Sequence, residues 1–335
     1  MLQASIRRAL HSLAVAAFVV AASPRSWATD SLAPLRAQFA LPEHQIDYTE
    51  AKLVVDTLWD PSTNASKVRR QLDRWESAVR ANFPKNATAR QKFDALIKTL
   101  YEPGPWNGHN PFDYNFDDPM GMGRPNKHLG TYLNLRKGNC VSMPILVLVL
   151  GQRLGLPVTL ATAPMHLLVK FADDTQQAWI NFEATAGGFK FDRSYERELG
   201  ITQEALENGL YLRPLMPREV VGLMASTLMQ RYAEQKDAES LMAVADLALA
   251  ANPRDSTAMI FKGNAYYLMI EERYRRPYPN PSDIPSELID DYRALSRENL
   301  VWFSRAESLG WSQPTSETYA EYIKSIEREK ARRTK

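Results

Sequence analysis

Arg136-Lys137-Gly138-Asn139-Cys140-Val141-Ser142-Met143-Pro144 holds the single cysteine of a 335-residue chain and runs into the apolar Ile145-Leu146-Val147-Leu148-Val149-Leu150-Gly151-Gln152-Arg153-Leu154. The apolar run is long enough for about three helical turns, and Gly155 followed by Pro157 is the usual order of helix-stopping residues. Pro144 marks the other end. Proline has no N–H, which costs nothing in the first turn, where backbone donors lack intrahelical partners, but about 3 kcal/mol further in. The helix therefore begins near Cys140, which falls at the cap or in the first turn. There the helix dipole and unpaired N–H groups favour thiolate over thiol.

A thiolate nucleophile needs a base within reach and a third group to orient that base. Downstream, Val158–Ala163, His166–Phe171 and Ala178–Ala184 are short runs rich in Val, Leu, Phe and Trp. Pro164 and Ala172-Asp173-Asp174-Thr175-Gln176-Gln177 separate them, the pattern of antiparallel strands. Alternation puts His166, Leu168 and Lys170 on one face, and Trp179, Asn181 and Glu183 on one face of the next strand. A hairpin centred between Asp174 and Thr175 sets His166 opposite Glu183; one centred between Asp173 and Asp174 sets it opposite Asn181. Either register leaves both candidates on the histidine's face, with directly opposed Cβ atoms about 5 Å apart. His166 is thus the expected base, and Glu183 or Asn181 the expected orienting group.

Upstream, apolar residues at spacings of three and four predict three helices between Tyr48 and Tyr101, carrying Leu53, Val54 and Leu58, then Val68, Leu72, Trp75 and Val79, then Phe93, Leu96, Ile97 and Leu100. Residues 102–125 form a long loop rich in Pro, Gly, Asn and Asp. Its aromatics (Trp106, Phe112, Tyr114, Phe116) argue for order. Because this loop immediately precedes the nucleophile segment, Trp106 is a candidate wall of a substrate groove. Asn139, beside the cysteine, is a second candidate substrate contact.

Beyond Gly187-Gly188 the chain reads as helical to its end, with a domain boundary expected at Arg213-Pro214-Leu215-Met216-Pro217. The phrase Ala248-Leu249-Ala250-Ala251-Asn252-Pro253, followed by Ala258, Gly263 and Ala265-Tyr266-Tyr267, fits one or two helical hairpins of the tetratricopeptide type, not a long array. A proline-rich connector, Arg276–Pro285, precedes two last helices. The basic ending Arg328-Glu329-Lys330-Ala331-Arg332-Arg333 predicts a solvated, frayed terminus. The resulting division is a leader at 1–28, a catalytic-type domain with a helical N-terminal segment at 29–216, and a helical region at 217–335.

The leader follows from Arg7 and Arg8, the apolar Leu13–Ala22 and the small-residue site Ser26-Trp27-Ala28, the features of a secretory signal. The apolar run is shorter than the roughly 20 residues a bilayer span requires, so an exported chain with no membrane span is expected. The whole chain has 41 basic against 39 acidic residues, and the leader holds three of the bases and no acid, leaving 38 against 39. That balance recruits neither nucleic acid nor an anionic membrane. One cysteine excludes a disulfide scaffold in an exported protein. No metal or cofactor is expected: the five histidines lack ligand spacing. Asp113, Asn115 and Asp117 begin a calcium-loop pattern that fails at Asp118 and Arg124.

A Cys at a helix start, a His on the following strands, and an acid in the phrase Trp179-Ile180-Asn181-Phe182-Glu183-Ala184-Thr185 together resemble the transglutaminase-like superfamily, a relative of the papain-like fold, with Glu in place of the usual Asp. More narrowly, R-K-G-N-C-V-S-M-P, R-L-G-L, A-P-M-H-L-L-V-K and N-x-E-A-T-x-G-G are similar to a bacterial branch whose core is followed by tetratricopeptide-like helices. The resemblance covers residues 100–190 and, more loosely, the helical remainder. It implies an α+β fold, a nucleophile helix packed on a small antiparallel sheet, with Cys140 as nucleophile, His166 as base and proton donor, and Glu183, or Asn181 in the papain manner, as third member. The backbone N–H of Cys140 is the expected oxyanion donor. The implied activity is thioester formation with a peptide or carboxamide carbonyl, followed by hydrolysis in preference to cross-linking. The alternative is a catalytically silent module that uses the same groove and helices to bind a peptide or protein.

Overall fold

The computed structural model describes residues 31–119, 121 and 123–333. The expected leader, residues 1–28, lies outside them. The chain begins with α1 (Ala33–Ala40), α2 (Tyr48–Trp59), α3 (Ala65–Ala81) and α4 (Ala89–Tyr101). The last three are the helices that the apolar spacing predicts. Each starts at a side chain that accepts an otherwise unpaired N–H: Asp47 from Thr49 and Glu50, Asn64 from Lys67, Thr88 from Gln91. The long loop buries Phe112 and Tyr114 among its described residues. It contains the short strand β1 (Asp113–Tyr114), and after α5 (Leu129–Leu135) the chain forms β2 (Lys137–Gly138), which pairs in parallel with β1. The start of α5 is tied to α2, because Asp56 accepts the Leu129 N–H at 2.9 Å with one carboxylate oxygen and Lys52 at 2.5 Å with the other. Both charges are buried, so removing either partner alone costs about 3–5 kcal/mol.

Next comes α6 (Ser142–Arg153), buried continuously from Ser142 to Gly151. It packs against α2, α3, α4 and α5, and against the first two strands of the main sheet. Gly155, at φ +68°, ends it, with Leu156 N–H donating to the Gly151 carbonyl at 2.9 Å. The sheet is the antiparallel meander β3 (Val158–Ala163), β4 (His166–Asp173), β5 (Ala178–Glu183), β6 (Gly188–Lys190). β6 lies where the sequence suggests the helical region begins; three residues are too few to display a strand's alternation. Phe93 of α4 stacks on Phe171 at 4.4 Å and meets Phe182 edge-on at 5.6 Å, which fixes the helices to the sheet.

The β4–β5 register differs from both expected ones. Val169 stands opposite Phe182 and Asp173 opposite Ala178, so the hairpin is centred between Thr175 and Gln176. Asp173 widens the turn: its carboxylate accepts Thr175 N–H at 2.8 Å and Thr175 Oγ1–H at 2.5 Å, and Gln177 takes a positive φ of +52°. The displacement is an even number of residues, so His166, Asn181 and Glu183 keep a common face while their opposite neighbours change. Continuing the register places Leu168 opposite Glu183, and Glu183 diagonal to His166.

After α7 (Asp192–Leu199) and α8 (Gln203–Glu207), residues 210–215 run along the outer edge of β3, with Leu212 and Leu215 N–H groups donating to the Thr162 and Leu160 carbonyls, both at 2.9 Å. The chain then enters α9 (Pro217–Gln235), α10 (Ala238–Ala251), α11 (Ser256–Ile270), α12 (Ile289–Ser308) and α13 (Ser316–Arg333). α9 lies on α2, and Val220, Val221, Met224 and Leu228 share one apolar core with Leu53 and Val55. Small residues let the helices approach closely: a Cβ at Gly263 would stand 2.8 Å from the Phe303 ring. Among the described residues, no helix is long and apolar enough to cross a membrane.

Candidate active site

Asn139 sets the start of the nucleophile helix. Its Oδ1 accepts the N–H groups of Val141 at 2.9 Å and Ser142 at 3.0 Å, and its carbonyl accepts Met143 N–H at 3.1 Å. These are the bonds of an N-cap residue, so Cys140 occupies the first position of the helical turn. No described residue accepts the Cys140 N–H, which leaves it as a donor at the nucleophile. Asn139 itself is 1% exposed and its amide donates to the Asn126 carbonyl; it holds the segment and does not face the cleft.

The β3–β4 turn brings the base. Ala163 pairs with His166, leaving the two-residue turn Pro164-Met165, with Met165 at φ +55°. That conformation favours glycine, and a methionine there carries about 1 kcal/mol of strain. The turn aims the Met165 carbonyl at Cys140, whose thiol donates to it at 3.8 Å, and sets His166 directly behind.

His166 Nε2 donates to Glu183 Oε2 at 2.7 Å. The longer arm of glutamate matters here, because diagonal Cβ atoms on paired strands are about 7 Å apart and an aspartate would fall short by a methylene. Glu183 is fully engaged: Oε1 accepts Thr185 Oγ1–H at 2.6 Å and Thr185 N–H at 3.1 Å, and Oε2 also accepts the Tyr195 hydroxyl at 2.8 Å. Burial would raise its pKa, but the His166 charge and these bonds hold it down to about 2. Burial of His166 disfavours its charged form, and the Glu183 carboxylate, helped by Cys140, outweighs this and pushes its pKa up to about 10. Nδ1 has no hydrogen-bond partner among the described residues and is the nitrogen left for the thiol.

Asn181 shares the face but not the contact. Its amide donates to Asp192 at 2.6 Å and to the Lys190 carbonyl at 3.0 Å, so Glu183, not Asn181, holds the imidazole. Trp106 is not brought to the site. Its indole N–H donates to the Glu102 carbonyl at 3.2 Å and its ring lies beneath Lys98, folded onto its own loop.

Cys140, Met165 and His166 line one end of a cleft of about 210 Å³ whose other walls come from α9 (Leu223, Ser226), the start of α11 and Trp311. The C-terminal helix also reaches the site. Ile326 packs on the main core and Lys330 lies 5.9 Å from the Phe116 ring, so α13 is docked, while Arg328, Lys330, Ala331 and Arg332 of the basic ending are exposed. Tyr322 is half-buried near Cys140; burial and then the charges of Cys140 and Tyr114 push its hydroxyl far above the ordinary tyrosine range. Sequence reasoning missed Met165, Tyr195 and Tyr322. Thr185 stood in the quoted acid-x-Thr phrase, but nothing in the spacing marked the other three.

Comparison with curated proteins and with solved structures returned no match. Comparison with protein families did. Residues 66–225, which span α3 through the first half of α9 and include Cys140, His166 and Glu183, match the model described as the transglutaminase-like superfamily.

Proposed function

We propose that this protein is an exported cysteine-dependent acyl-transfer enzyme of the bacterial periplasm that hydrolyses a peptide or carboxamide bond. The observation that carries the reading is the buried His166–Glu183 pair at 2.7 Å, with its free nitrogen beside a lone thiol at the end of a cleft. Cys140 sulfur attacks the carbonyl carbon, and the oxyanion forms at the Cys140 N–H. His166 gives its proton to the leaving nitrogen as the C–N bond breaks, and a thioester remains. Water then adds to the thioester, passing a proton back to His166, and the C–S bond breaks to return the thiolate. The sum is amide plus water giving acid plus amine. Hydrolysis is favoured over cross-linking because water competes well in an envelope unless a second site holds the amine. The helical region at 217–335, read as tetratricopeptide-like, positions the substrate, since α9 and α11 line the cleft.

The test is iodoacetamide labelling of the mature protein at pH 6, read by mass, against His166→Ala. Fast labelling that the substitution abolishes supports the reading, and a screen of peptide amides, with hydroxylamine to trap the thioester, follows. Equal slow labelling of an accessible thiol in both proteins overturns it. A binding module is the second reading, favoured by a thiol that is only 6% exposed, with Tyr322 near it.

A further inference from the structure

Glu183 Oε2 accepts two donors, His166 Nε2 at 2.7 Å and the Tyr195 hydroxyl at 2.8 Å. Tyr195 comes from α7, is 1% exposed, and its ring belongs to a small core with Ala163, Leu168 and Leu210. That ring lies 6.2 Å from the imidazole, and Lys190 stands over its face at 4.5 Å. Burial and the Glu183 charge push the hydroxyl well above the ordinary tyrosine range, so it stays protonated and donates.

A histidine that serves as base and acid has to pick up and release a proton in each cycle, and works best with a pKa near the working pH. A buried carboxylate with no other partner on that oxygen would lock the ring as a cation. A second donor on the same oxygen opposes this, because its positive hydrogen faces the imidazolium and takes up part of the charge that attracts it. The other groups that bear on the pair are Cys140 from the start of α6, Thr185 after β5, Tyr101 from α4 and Tyr322 from α13. None of these donates to Oε2.

Resting on the acyl-transfer reading above, we propose that Tyr195 is a positioning residue of this site: its hydroxyl holds Glu183 Oε2 on His166 and draws off part of that oxygen's charge, so that the ring can release its proton during turnover. It also steadies the long glutamate arm, which Thr185 grips only through the other oxygen.

The experiment is the pH profile of Cys140 labelling by iodoacetate, whose negative charge makes its rate depend on the imidazolium, in wild type, Tyr195→Phe, and a protein carrying 3-fluorotyrosine at 195. Phenylalanine keeps the ring in its core and removes only the hydroxyl. The alkaline limb is expected to move up by about one pH unit, the size of a lost hydrogen bond to a charged group. Fluorotyrosine keeps the shape and is a stronger donor, so its limb moves down; it also secures the test if Tyr195→Phe folds poorly. A merely structural tyrosine would not give shifts of opposite sign. Limbs that coincide with wild type, or shifts of one sign in both variants, overturn the role of Tyr195 alone. A wild-type profile that His166→Ala leaves unchanged overturns the nucleophile reading and this inference with it.

Discussion

Glu183→Gln keeps the volume of the third side chain and removes its charge, and the structure sets the size of the effect. Four hydrogen bonds converge on the carboxylate, from His166, Tyr195 and twice from Thr185. A glutamine amide has one acceptor oxygen and one donor nitrogen, so one of the two ends must be reorganised. The imidazolium also loses its charge-assisted bond to the carboxylate. A hydrogen bond of this kind is worth about 1.5–3 kcal/mol, which lowers the population of the thiolate–imidazolium pair roughly tenfold to hundredfold. With the carboxylate gone, only Cys140 still opposes the burial of His166, and its pKa falls from about 10. The assay is the second-order rate of Cys140 labelling by iodoacetamide between pH 6 and 8, clean because the chain has one thiol. We expect the glutamine variant to label at least tenfold more slowly and Asn181→Ala to label like wild type, because the Asn181 amide is committed to Asp192 and Lys190. A Glu183→Gln protein that is folded and labels at the wild-type rate would refute the argument, and a slow Asn181→Ala would reverse the assignment.

The same pair predicts how stability depends on pH. His166 is raised from 6.5 to about 10 on folding, so its contribution is complete below pH 6.5 and is lost as pH climbs through about 10; Glu183 is lowered from 4.5 to about 2, so its contribution is complete above pH 4.5 and is lost as pH falls through about 2. The melting-temperature gap between wild type and Glu183→Gln should therefore be widest between those values and shrink on both sides; a gap independent of pH contradicts the coupling. Asn139→Ala removes the cap of α6 and should cost about 0.5–2 kcal/mol in denaturant melts, with slower Cys140 labelling in the folded protein, whereas an effect on substrate KM alone would return Asn139 to the cleft. Tyr322→Ala uncovers the thiol, so labelling by a neutral reagent should accelerate with little loss of stability; an unchanged rate would mean that α13 does not shield Cys140. Gly263→Ala sets a methyl 2.8 Å from the Phe303 ring and should cost about 1–3 kcal/mol, visible as a lower melting temperature.

Local chemistry made much of this protein legible from its sequence. Pro144, the apolar run to Leu154 and Gly155 are sufficient for α6, because helix starts and stops depend on which backbone groups lack partners within a few residues. The caps and apolar stripes of α2, α3 and α4 act over the same range. Strand alternation likewise placed His166, Asn181 and Glu183 on one face, since a strand's side-chain period is two whatever its neighbour does. The register and the choice between Glu183 and Asn181 could not be read this way. They depend on how Asp173 bonds within the hairpin turn, and on Asp192, brought by α7, occupying the Asn181 amide. Tyr195 and Tyr322 carry no signal in the sequence near Cys140. They reach the site only because α7 and α13 pack beside it, and a contact across 182 positions is decided by the shape of the whole core, which no local propensity encodes.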